Sequence, residues 1–88
     1  MGRMAEVIAQ VTPNPQAYKF TIEGHRFDSP VTIGSAGDAA GTPFEGLFSL
    51  PGVVGVFATA NFVTLTKEPA ADWDLIIADA TRVLSQAF

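Results

Sequence analysis

The stretch from Gly52 to Lys67, Gly-Val-Val-Gly-Val-Phe-Ala-Thr-Ala-Asn-Phe-Val-Thr-Leu-Thr-Lys, sets the strongest limit on what this chain can become. Two apolar, β-branched segments, Val53–Ala58 and Phe62–Thr66, flank a few small or polar residues. That pattern predicts a β-hairpin with a loop of about three residues. In the second segment Val63 and Leu65 point one way, and Phe62, Thr64 and Thr66 the other. A period of two gives one buried and one partly wet face, so the hairpin belongs in the middle of an open antiparallel sheet.

The flanking sequence supplies partners for it. Val7 to Thr12 reads as a first strand, ended by Thr12-Pro13-Asn14-Pro15, where each Pro removes a ladder donor and Asn favours a turn. Tyr18, Phe20 and Ile22 then alternate with Lys19, Thr21 and Glu23, which predicts a strand with the first three on the core side. Gly24-His25 turns the chain, and Ser29-Pro30-Val31-Thr32-Ile33 suggests a further short or irregular strand. Thr42-Pro43-Phe44-Glu45 carries a capping signal and Pro51-Gly52 a stop, so a helix of about two turns with Phe44, Leu47 and Phe48 on one face is expected between them.

Beyond Glu68-Pro69, Trp73, Ile76, Ile77, Ala80, Val83 and Leu84 recur at helical spacing, predicting an amphipathic helix over Ala71–Ala87. Asp72 and Asp74 sit in its first turn, where the helix dipole favours negative charge. Together these elements define an α+β, two-layer sandwich in ββαββα order, a small, mostly antiparallel sheet with two helices on one face. Lys19, Thr21, Thr64 and Thr66 are left on the other face. Residues 1–88 make one domain, with a core but little margin at this length.

The residues offer little chemistry. There is no cysteine, which excludes disulfides, thiolate ligands, cysteine nucleophiles and a self-contained iron–sulfur site. His25 is the one histidine, and its neighbours Gly24, Arg26 and Phe27 bring no carboxylate at ligand spacing, so a solvated turn residue is expected. No serine lies in a nucleophile elbow. The small-residue run Gly34–Gly41 lacks the Gly-Lys-Ser/Thr of a phosphate loop and reads as a connector. A net charge of −4 opposes binding to a phosphate backbone, and Tyr18 and Phe20, being on the core side, are not a stacking platform for RNA. No apolar run is long enough to cross a bilayer. At the start, Met1-Gly2 lacks the Ser or Thr that a myristoylation signal wants at the sixth position, and Met4 is a candidate natural start. The expectation is a non-enzymatic cytoplasmic protein without cofactor, nucleic acid or membrane partner.

Several stretches resemble, in order, the N-terminal domain of Nfu/NifU-type iron–sulfur scaffold proteins. They are Thr12-Pro13-Asn14-Pro15 with Lys19-Phe20; Gly34-Ser35-Ala36; Pro43 with Leu47-Phe48; Gly52-Val53 and Val56-Phe57; Phe62-Val63-Thr64-Leu65-Thr66-Lys67; and Trp73. In that family the cluster ligands sit in a separate Cys-x-x-Cys domain, so the resemblance implies fold and biological neighbourhood but no cluster-binding residue here. It implies a protein-interaction module tied to cluster assembly or delivery, with an iron–sulfur scaffold or an apo-target as partner. Asn14, Lys19, Phe44 and Lys67 are the candidate contact residues, chosen at the turn, the open face and the helix start. The alternative is a free-standing structural domain, monomeric or weakly dimeric, that self-associates through a sheet edge.

Overall fold

The computed structural model describes residues 5–88; the reading of Met1–Met4 lies outside them. Five strands, β1 (Val7–Val11), β2 (Ala17–Ile22), β3 (Phe27–Ile33), β4 (Val53–Ala60) and β5 (Phe62–Lys67), form one antiparallel sheet in the order β1-β2-β5-β4-β3. The expected hairpin is its centre. Phe20, Ile22, Val63, Leu65, Val56, Ala58 and Ile33 point from the sheet into one core.

Between β3 and β4 the chain forms a single turn, α1 (Ala36–Ala39), and a 3-10 segment, Glu45–Ser49; after β5 come a 3-10 turn, Trp73–Leu75, and the helix α2 (Ile77–Ala87). Their apolar side chains, Ala39, Phe44, Leu47, Ile76, Ala80 and Leu84, close the core from one side. The two-layer α+β arrangement is the one expected, with β3 added to the four principal strands.

Local chemistry explains where each element departs from the simple pattern. In β3 the register jumps between Phe27, opposite Ala60, and Val31, opposite Ala58. Asp28-Ser29-Pro30 fills the gap: Pro30 has no N–H to give the ladder, so the strand bulges there. The hairpin loop is shorter than expected, two residues rather than three, because Thr59 pairs directly with Phe62. That tight turn needs a positive φ, and Ala60 supplies it at +50°.

The segment after Gly41 winds as a 3-10 helix, not α. Thr42 Oγ1 accepts from the Phe44 N–H at 3.2 Å and donates to the Ala39 carbonyl at 2.6 Å, so it links α1 to the next turn. Gly46 lies against α2, where an added Cβ would come within 3.2 Å of a Val83 methyl. The last helix begins with a separate turn capped by Asp72, whose side chain accepts from the Asp74 N–H at 2.9 Å. At its far end Ser85 is 8% exposed and donates its hydroxyl to the Ala5 carbonyl at 2.6 Å, while the Ala5 N–H donates to the Ser85 carbonyl at 3.0 Å.

Candidate interaction surfaces

The four sequence-chosen contact residues fall in three places. Asn14 and Lys67 meet at one corner, Lys19 stands on the uncovered sheet face, and Phe44 is in the core.

At the corner, the Pro13–Gln16 turn is built around Asn14. Its Oδ1 accepts from the Gln16 N–H at 2.9 Å and its own N–H donates to Thr12 Oγ1 at 3.2 Å, the local bonding that makes Asn a turn residue. Gln16 passes the connection on: its Oε1 accepts from Lys67 Nζ at 3.0 Å, and Nζ also donates to the Glu68 carbonyl at 3.3 Å. Lys67 is only 8% exposed, and its ammonium lies 5.9 Å from the Trp73 ring centroid. An ammonium withdrawn from water needs such partners, because losing hydration without them costs several kcal/mol. Trp73 Nε1–H donates to the Pro15 carbonyl at 3.0 Å and its ring packs 5.1 Å from that of Tyr18. Beside these aromatics lies a groove of about 260 Å³ walled by Val11, Asn14, Pro15, Tyr18 and Trp73. Gln16 carried no sequence signal of its own; the Lys67–Trp73 pairing was foreshadowed only by both lying among the motif residues.

The uncovered face is read from the strand register. One row, Gln10–Lys19–Thr64–Phe57–Thr32, crosses all five strands, and the next runs Ile8–Thr21–Phe62–Thr59. Lys19 Nζ sits 4.6 Å from the centroid of Phe62, a diagonal contact that screens the ring and holds the charge on the face. Ile8 and Phe57 are 39% and 40% exposed. This face is therefore mixed: threonines, two aromatic rings, one aliphatic side chain and a cation.

Two expectations need correcting. Phe44 is 4% exposed and packs 5.6 Å from Phe88 and 6.0 Å from Phe27, so its ring serves the core and cannot offer itself to a partner. His25 is not simply solvated: its ring meets Phe27 edge-on and Phe88 at a tilt, with centroids 4.6 Å from each. Position after Gly24 correctly marked a turn, but the aromatic group forms through space and has no local sequence signature. Among the described residues no three His, Asp or Glu side chains gather where they could hold a metal ion.

These features define a small five-stranded α+β domain. The comparisons with known proteins agree on the fold. A crystal structure of the Staphylococcus aureus protein SAV1430 superposes with a TM-score of 0.76 at 21% identity, covering 89% of this chain and 96% of that one. The solution structure of a NifU-like protein from Saccharomyces cerevisiae gives 0.82 at 19% identity, covering 97% and 79%. In sequence, the family described as scaffold protein Nfu/NifU N terminal matches residues 7–88, and the chain belongs to that family. The mitochondrial NFU1 iron-sulfur cluster scaffold homologs of Drosophila ananassae and Drosophila erecta are 36% and 35% identical over 90% and 99% of this chain. The chain spans only 29% and 32% of those two relatives.

Proposed function

We propose that this domain is a non-enzymatic protein-interaction module that serves iron–sulfur cluster assembly or delivery while holding no cluster on its own residues. One observation carries the reading: family membership across residues 7–88 combined with a sequence that contains no cysteine. Iron–sulfur clusters are held by thiolates, with histidine as an occasional replacement, and the one histidine here is packed among aromatic rings. The partner of this reading is a cysteine-bearing scaffold or an apo-protein awaiting a cluster.

Two surfaces suit such docking. Lys19 with Phe62 and Phe57 offers a cation and rings on a broad face. The corner offers Asn14 beside the Trp73 groove, with Lys67 holding the turn in place through Gln16 rather than reaching outward.

The test is titration of the isotope-labelled chain with a Cys-x-x-Cys scaffold domain from the same source, followed by amide shifts, with a parallel assay of cluster transfer to an apo-target. Shifts confined to the open face or the corner, with a changed transfer rate, are the expected result. Absence of both at millimolar partner, or a purified chain that is brown and carries stoichiometric iron, sinks the reading.

A further inference from the structure

We infer that the exposed edge of β1 is a self-complementary docking strand whose occupant is β1 of a second copy of this chain. The inference does not depend on the iron–sulfur reading.

The two edges of the sheet differ in what they leave unpaired. Along β1, the Glu23 N–H donates to the Glu6 carbonyl at 2.9 Å, which fixes the alternation: peptide groups of Glu6, Ile8 and Gln10 face β2. Those of Val7, Ala9 and Val11 face outward, and among the described residues none of the three finds a hydrogen-bond partner on that side. Helix α2 packs beside β1 on the core side, but it hydrogen-bonds to this edge only at Ala5, through the paired bonds with Ser85. The open stretch, Val-Ile-Ala-Gln-Val, has no charge, proline or bulge, and Val11 is 78% exposed. Such an edge is a template for another strand. The opposite edge, β3, is blunted by Pro30, Asp28 and the register break at those residues.

A second copy fits this edge in one register. Antiparallel pairing about a two-fold axis through Ala9 sets Val7 against Val11, Ile8 against Gln10 and Glu6 against Thr12 of the other copy. No like charges meet. All the outward-facing residues fall into hydrogen-bonded pairs, Val7 with Val11, Ala9 with Ala9 and Val11 with Val7, giving two bonds each. The ladder also ends where the chain makes it end: the next pair would be Ala5, whose groups Ser85 already occupies, against Pro13, which has no N–H. Because β3 cannot extend the sheet, association closes at a dimer instead of running on as a fibre. The contact is one short strand on each side, below the roughly 1,200 Å² of a standard stable interface, so the dimer is weak. Each copy carries a net charge of −4, so added salt tightens it by screening.

The experiment is sedimentation equilibrium of the full chain from about 10 µM to 1 mM, with amide exchange read at both ends of that range. A reversible monomer–dimer equilibrium is expected, tighter at higher salt, with exchange at Val7, Ala9 and Val11 slowed as concentration rises. Val11→Lys, at an exposed position that leaves the fold intact by circular dichroism, weakens the dimer more than tenfold. Thr32→Lys, on the other edge strand, leaves it unchanged. A monomer at 1 mM in high salt overturns the inference, as does a dimer indifferent to Val11→Lys, one disrupted equally by Thr32→Lys, or one without protection of those three amides.

Discussion

Strand β4 is preceded by one residue with positive φ and ends on another, and the two ends solve the same backbone problem differently. Gly52 opens it at φ +86° and Ala60 closes it at φ +50°. At Gly52 the chain leaves the 3-10 segment and must pass under the linker to α2: a Cβ there would collide with the Ala71 Cβ. Ala60 sits in the hairpin turn, where its own methyl is only partly buried. Backbone strain alone is a modest cost that one alanine can carry. What makes glycine obligatory at the first end is the neighbour above it.

That contrast can be broken at either end. Gly52→Ala is expected to cost about 3 kcal/mol, read as a lowered midpoint in urea unfolding, since strain and overlap act together. Adding Ala71→Gly to it removes the overlap and leaves only the strain, so the double variant recovers roughly half of the loss; failure to recover would mean that the clash is not the dominant part. At the other end the sign reverses. Ala60→Gly relieves a strained residue while loosening the unfolded chain, and the small net gain, about 0.5 kcal/mol, appears as a slightly raised midpoint. A loss instead of a gain would show that the Ala60 methyl packs usefully against its surroundings.

The same contrast marks what the sequence could disclose. Alternation in Tyr18–Ile22 and Phe62–Thr66 identified both central strands and their inward faces, because a period of two is written along the chain itself. Pro51-Gly52 was legible as a stop for the same reason. The Ala60 turn was not, since nothing in Thr59-Ala60-Asn61 advertises a positive φ at alanine. The 3-10 winding after Thr42 was equally hidden: its cap was visible, but the packing of Gly46 on Val83 that shapes the segment joins residues far apart in sequence. For the candidate surfaces, Lys19 was placed on the right face by parity alone. Lys67, by the same parity, shares the inward side with Val63 and Leu65, and it lies buried there where Gln16 and Trp73 approach it from separate elements.

The stitch between Ala5 and Ser85 joins residues 80 positions apart, and Trp73 reaches 58 positions back to Pro15. Closing loops of that length before any local reward arrives is slow, and it favours folding that finishes late. During synthesis β1 can find β2 early, but its anchoring to α2 must wait until Ser85 has also left the ribosome. Until that moment the nascent chain travels with its first strand unmoored.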